Sequence, residues 1–243
     1  AYRDTSGTVG RPAASRSWVP SLEGVWLRRL AIALAVFLLL YYPIGAFITH
    51  KVDDTLAYEI QGEVLPGQSR AVAITADLID REVNQNGWVA NDPFFVPAAI
   101  LDNMPNFQKG VVAALARFSF ELTDQLGRTR GSSEADADLQ AAAGLLQYPG
   151  DVWVWDPTTS LVPTATSEAQ YRKAMRALRN YNSRLAAGDA TFQRRADNLQ
   201  ATLDRIALDL GSTSAVLDRH VVEESGFPID TSADDLFYFT KGQ

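Results

Sequence analysis

The stretch Gly127-Arg-Thr-Arg-Gly-Ser-Ser133 is the part of this sequence best equipped to bind a small charged group. Two arginines, a flexible glycine and two hydroxyls lead into a run with helical periodicity. Arg128, Arg130, Ser132 and Ser133 could therefore hold a carboxylate or phosphate between guanidinium groups and the amides of a helix start. The plainer reading is that a serine caps the helix and the arginines pair with neighbouring carboxylates. Other candidates are weaker. His50 and His220 are the only histidines, so one chain cannot supply three of them to a zinc ion, and the lack of cysteine removes thiolate ligands, disulfides and a cysteine nucleophile. Glu134-Ala-Asp-Ala-Asp138 lacks the glycine and terminal glutamate of a calcium loop, and in a first helical turn its carboxylates favour the amino-end dipole instead. Asp53-Asp54 and Asp234-Asp235 are adjacent pairs whose side chains point apart. Gly211-Ser-Thr-Ser-Ala follows no strand, and a glycine closing one helix with a serine opening the next accounts for it without chemistry. No catalytic residue, metal or cofactor is expected.

These groups must be positioned by something, and the dominant element is apolar. Leu30 to Ile48 is nineteen residues without a charge, about 28 Å as a helix, which matches the hydrocarbon thickness of a bilayer. Trp26 stands at one end and Tyr41 and Tyr42 near the other, where aromatic rings favour the headgroup boundary, and Arg28 and Arg29 can snorkel outward. A cleaved export signal has a shorter apolar core and a small-x-small cleavage site, and a soluble core helix of this length seldom lacks a polar face. The segment reads as a membrane anchor over residues 26–48. Pro43 removes one backbone donor inside it, so a kink or helix end is expected near the two tyrosines.

Charge sets the orientation. Five arginines precede the segment, and after it Lys51 is the only basic residue before Arg70, so the amino terminus is expected on the cytoplasmic side. Residues 1–25, rich in Gly, Pro, Ser and Thr, read as a flexible cytoplasmic tail. Residues 49–243 are then expected in the periplasm. Of 22 basic and 29 acidic residues, the portion beyond Arg29 keeps 17 and 27, a net of −10. Such a domain repels phosphate backbones, so nucleic acid is not expected as a partner.

Within the large portion, Ser69 is expected to cap a helix with Ala71, Ile74, Leu78 and Val83 on its apolar face, closed by Gly87. The prolines at 93, 97 and 105 mark an irregular segment with a short helical turn near Ala98 to Leu101. Asn106 could cap a long helix with Val111, Leu115, Phe118 and Leu122 on one side, ending at Gly127, and Ser133 could open another through Leu146. Val152-Trp-Val-Trp155 alternates as a short strand or extended arm. Thr166 or Ser167 begins a helix with Tyr171, Met175, Leu178, Asn182 and Leu185 at heptad spacing up to Gly188. Asp189 caps the next, with Phe192, Ala196, Leu199, Leu203, Ile206 and Leu210 repeating until Gly211. A short link between these two predicts an antiparallel hairpin, followed by a last helix from about Ser212 to Glu224. The fold class expected is mostly α: a single transmembrane helix followed by a periplasmic helical bundle with one small extended or β element. Trp88, Phe94, Phe95, Trp153 and Trp155 fall in irregular or extended segments, where aromatics either plug a bundle or centre a contact surface.

Three stretches carry a resemblance: YYPIGAFITHKVDDT after the apolar run, WVANDPFFVPAAILDNMPNFQKG, and RFSFELTDQLGRTRGSS with LAAGDATFQRRADNLQATLDRIALDLGSTSAVL. From about Tyr41 to Glu224 the chain resembles the bacterial domain-of-unknown-function family numbered 2333, whose members are single-pass inner-membrane proteins. That resemblance implies the anchor, the helical body and a bacterial source, and it supplies no activity. The function expected is a non-enzymatic interaction or accessory subunit of a membrane-protein complex, with the lipid bilayer and other membrane or periplasmic proteins as partners. The competing classes are a carboxylate-based cell-wall hydrolase, which needs only two carboxyl groups at a suitable separation, and a periplasmic receptor for a small ligand or anion.

Overall fold

The computed structural model describes residues 22–55, 58–129, 135–155, 162–192, 196–223 and 231–243. The expected tail up to residue 21, the expected loop residues Arg130, Ser132 and Ser133, and residues 193–195 lie outside them. Asp189 does not cap a helix as expected: residues 189–192 are not helical, and the next described helix begins at Ala196. The chain divides into two compact units, Ala1–Tyr41 and Tyr42–Gln243.

The apolar run forms α1, Leu22–Thr49. It does not end at Pro43 but continues past it. In its stretch up to Leu40 nearly every apolar side chain is exposed, Leu39 at 72 %. Packing within the first unit thus gives no reason for that apolarity.

In the second unit, α2 (Arg70–Asp80) is capped by Ser69, whose side chain accepts from the Val72 amide, and it runs into a π-helical turn, Arg81–Gln85. Gly87 adopts the left-handed conformation just beyond, at φ +81°, where a side chain would cost strain. The buried face is Val72, Ala76, Ile79 and Val83; of the expected row only Val83 lies on it, while Ala71, Ile74 and Leu78 are partly exposed beside it. Pro97–Ile100 is a single 3-10 turn. Then comes α3, Asn103–Thr129. It starts three residues before the expected Asn106, because Asp102 accepts from the Asn103 amide and Pro105 sits in the first turn, where no amide partner is needed. The helix α4, Ala137–Leu146, is capped by Asp136 and not by Ser133.

The helix α5, Ser167–Ala187, is capped by Thr166 and closed by Gly188 in the left-handed region. All five heptad positions expected to face inward are buried. It packs antiparallel to α2: Ser69 meets Asn182 at one end and Asn84 meets Arg172 at the other. It is also antiparallel to α4, with Arg184 against Asp136 and Tyr171 against Tyr148. The core between α2, α3, α4 and α5 includes Ile79, Phe107, Leu139, Tyr171, Leu178 and Tyr181. Each fully buried Leu or Ile there contributes roughly 1.5–3 kcal/mol.

Two expectations fail here. Residues 196–223 form one helix, α6, with no break at Gly211, so the separate last helix does not exist. The α5–α6 hairpin is also absent: α6 lies on α3 and on α7, Thr231–Gly242. Of the two forms expected around Trp153, a strand or an extended arm, no strand occurs among the described residues. The Trp153 segment is an extended arm held to the start of α5 by Ser167 N–H to Val152 O (3.0 Å) and Thr164 N–H to Val154 O (2.9 Å), too few bonds for a ladder.

The α3–α7 contact brings backbone against backbone. A Cβ on Gly110 would collide with the Phe239 carbonyl, and one on Gly242 with that of Phe107. Asn106 donates to Asp235 at 2.6 Å alongside.

Candidate functional site

The features with most to offer function gather where the apolar helix enters the body. Residues 42–49 of α1 belong to the second unit and are built into it. The Tyr42 hydroxyl donates to the Phe94 carbonyl at 2.8 Å, and Ala46 is buried. Gly45 lies against Pro97, whose ring occupies the place a Cβ would take. The other side of these same turns stays bare: Ile44, Phe47 and Ile48 are exposed, Phe47 at 85 %.

From Thr49 the chain runs as a strap across α2 and α7. Lys51 N–H points at the Met104 sulfur (3.2 Å), Asp53 pairs with Arg81 (3.2 Å) and Asp54 with Lys241 (2.6 Å). The Tyr58 hydroxyl donates to Asp77 at 2.7 Å, and the Gln61 amide donates to the same oxygen at 2.9 Å. The adjacent Asp53 and Asp54 thus reach different partners, as their opposed directions require. Hydrogen bonds from Thr55, with burial opposing and the Arg81 charge assisting, hold the Asp53 carboxyl below the usual range. Burial, and then the bond to Asp77, pushes the Tyr58 hydroxyl upward.

Beneath the strap lies a buried polar joint. Arg81, Glu82 and Val83 are consecutive and all buried, an arrangement that the 100° step of an α-helix disfavours and the wider π turn permits. Glu82 is fully enclosed. It accepts from Arg81 Nε at 2.7 Å and from Gln108 Nε2 at 3.4 Å, while Gln108 also donates to Gly87 O (2.8 Å) and accepts from the Val89 amide (3.1 Å). The Arg81 guanidinium lies 5.4 Å from the Tyr58 ring centre. A buried charge this well satisfied serves rigidity. It locks strap, α2 and α3 together.

The aromatic residues divide into two sets. Trp88 is in the core, donating to Gly150 O at 2.8 Å and meeting the Tyr171 ring edge-on at 4.9 Å. Asn91 donates to Val152 O and to Glu168, and burial with the Glu168 charge raises the neighbouring Asp92 carboxyl. In contrast, Phe94 is 82 % exposed, and Phe95, Ile100 and Trp155 are about half exposed. Phe95 packs edge-on to Phe94 (5.5 Å) and to Trp153 (6.0 Å).

The sequence-predicted residues are dispersed. Trp26, Arg28 and Arg29 lie on the exposed first unit, with the Arg29 guanidinium 6.0 Å from the Trp26 ring. Tyr41 stacks on Phe37 at 5.3 Å. Arg128 falls in the last turn of α3, which runs past the expected stop at Gly127; its side chain, with Arg130, Ser132 and Ser133, lies outside what is described. Trp153 and Trp155 sit on the extended arm, and only Trp153 joins the Phe94–Phe95 group. Two of the Glu134–Asp138 carboxylates have a structural employer: Arg184 grips Asp136 at 2.6 Å and Asp138 at 2.5 Å. Asn182 faces inward, accepting from Ser69 N–H at 2.7 Å and donating to Ser69 O at 3.2 Å. Sequence reading missed the Tyr42–Phe94 bond and the Arg81–Glu82–Gln108 joint. The first is made to a backbone carbonyl and leaves no trace in residue type, whereas a lone Gln in the apolar face of α3 was a usable sign of the second.

An open groove of about 780 Å³ runs between α3, the turn after α4 and α6, floored by Val112, Ala116 and Leu146. Its cations are Lys109 and Arg117, and Arg117 is already paired with Asp209 (3.2 Å) and Glu121 (3.5 Å). Among the described residues no three His, Asp or Glu side chains are grouped to hold a metal ion.

One amino-terminal apolar helix leading into a rigid helical body defines the class of protein. The chain belongs to the family described as uncharacterized protein conserved in bacteria (DUF2333), whose model matches residues 25–236. That match takes in nearly all of α1 as well as the body. Comparison with curated proteins and with solved structures finds no match to either.

Proposed function

We propose that the protein is a single-pass bacterial inner-membrane protein, with its amino terminus cytoplasmic and its helical body periplasmic, acting as a non-enzymatic accessory subunit of a membrane-protein complex. The observation that carries this reading is the double character of α1. Up to Leu40 its apolar side chains are exposed, so lipid is the environment that suits them, while its last turns are part of the body. Removal of the helix as an export signal would strip Tyr42, Gly45 and Ala46 from that packing. In this reading Trp26, Arg28 and Arg29 mark the cytoplasmic headgroup boundary, and Tyr41 and Tyr42 the approach to the periplasmic one.

The partner surface is α6. Leu203, Leu208 and Val216 are exposed along it, and none of its described residues is buried. A long helix with so little of its apolar surface covered is suited to docking against a second protein. Solubilising native membranes in a mild detergent and pulling on the full chain is expected to bring down a defined partner, which is lost when Leu203 and Leu208 are replaced by Asp while helicity is retained. Recovery of only free monomer from wild type contradicts the proposal.

A further inference from the structure

We infer that the Phe94–Phe95 loop is a lipid-seated foot: beyond the helix that anchors the protein, the body itself inserts this loop into the periplasmic leaflet, at the boundary of headgroups and acyl chains. The inference rests on the membrane reading of α1 and adds a second point of contact to it.

The argument is one of level. The Phe94 carbonyl is tied to Tyr42, and Pro97 fills the notch at Gly45, so the segment 94–97 lies beside the stretch of α1 from Tyr42 to Gly45. On the same turns Ile44, Phe47 and Ile48 project uncovered, and they need lipid for the same reason as the rest of the helix. Tyr42 precedes Thr49 by seven residues, about 10 Å of helix, so if lipid reaches Ile48 the loop beside Tyr42 is immersed to the depth typical of interfacial apolar groups. Its composition fits that place. Phe94 projects almost wholly free, Phe95 and Ile100 follow at about half exposure, and Trp153 backs Phe95. Rings exposed beside a charged aqueous surface would be a liability, whereas at a bilayer interface they bind. His50 and Lys51, both exposed at the end of the helix, stand where phosphate headgroups would meet them.

The cysteine-free chain allows a direct test. Full-length protein carrying a single nitroxide-labelled cysteine at Phe94, Ile100, Val36 or Asp189 is placed in nanodiscs of phosphatidylethanolamine and phosphatidylglycerol, and collisions with oxygen and with a nickel chelate are compared. Oxygen concentrates among acyl chains and the polar chelate is excluded, so the oxygen-to-nickel ratio at positions 94 and 100 is expected to exceed that at 189 by roughly an order of magnitude. Phe94 and Ile100 project outward, so labels there leave the core intact. A deep Val36 with aqueous ratios at both 94 and 100 overturns the foot while leaving the anchor. An aqueous Val36 overturns both.

Discussion

Replacing a helix-interior glycine by alanine normally stabilises a helix by about 1 kcal/mol through propensity alone, and this protein offers two tests with opposite outcomes. Gly144, in α4, has nothing within 4 Å of the place its Cβ would occupy. Gly144→Ala should therefore add roughly 0.5–1 kcal/mol. Gly110, in α3, meets α7: its Cβ would overlap the Phe239 carbonyl oxygen and lie 2.9 Å from that carbonyl carbon. Backbone cannot step aside as a side chain can, so α7 must shift as a body. Overpacking of this kind costs about 1–3 kcal/mol, and the helix gain of about 1 offsets only part of it. The net for Gly110→Ala is a loss of up to about 2 kcal/mol, concentrated in the docking of α7. Thermal unfolding by circular dichroism in nanodiscs measures both variants, at about 2–4 °C per kcal/mol for a domain of this size. Limited proteolysis localises the effect, with Gly110→Ala releasing α7 first. If Gly110→Ala raises the melting temperature as Gly144→Ala does, the close crossing of α3 and α7 is wrong.

Two further perturbations follow from the buried contacts. Asn182→Ala leaves the buried Ser69 amide without its 2.7 Å acceptor and should cost about 2 kcal/mol, or about 4–8 °C of melting temperature; an unchanged melt would mean Asn182 does not hold the start of α2. Burial works to raise the Asp136 carboxyl, but the hydrogen bonds and charge of Arg184, with the α4 amides, outweigh it and hold the carboxyl below the ordinary value. The unfolded chain then binds this proton more readily than the folded one, so the contribution is present above about pH 4 and is lost as pH falls through the folded value. Asp136→Asn is accordingly expected to melt lower than wild type at pH 7 and to lose less on going from pH 5 to pH 3; parallel curves would refute it.

Much of the helical content was legible because local rules and tertiary demands coincide there. In α5, Thr166 caps, Gly188 closes, and the heptad face is the buried face. The phase of α2 was not legible, since Ala71, Ile74 and Leu78 recur at helical spacing just as Val72, Ala76, Ile79 and Val83 do, and only the packing against the other helices decides which row is buried. Gly211 reads as a stop, yet glycine ends a helix only where the chain must turn, and its penalty of about 1 kcal/mol is small across a helix of 28 residues. Asn182 in an apolar seam suggests a partner, but which neighbour satisfies a buried amide is a matter of tertiary placement; here it is Ser69, far away in sequence. The candidate site was least legible. Its parts are a tyrosine bonded to a distant carbonyl, a glycine notch filled by a proline and a strap pinned by separate ion pairs. Each draws its meaning from what lies opposite, although the aromatic loop was visible as residues in want of a surface.

The central claim is that α1 crosses the membrane and leaves the body outside the cytoplasm. Single cysteines at Thr8 and Asp189, probed in intact spheroplasts with a membrane-impermeant maleimide, test it most directly. The account predicts labelling at 189 at once and at 8 only after the membrane is opened. Labelling at 8 with protection at 189, or release of the unlabelled protein by alkaline carbonate, would contradict it.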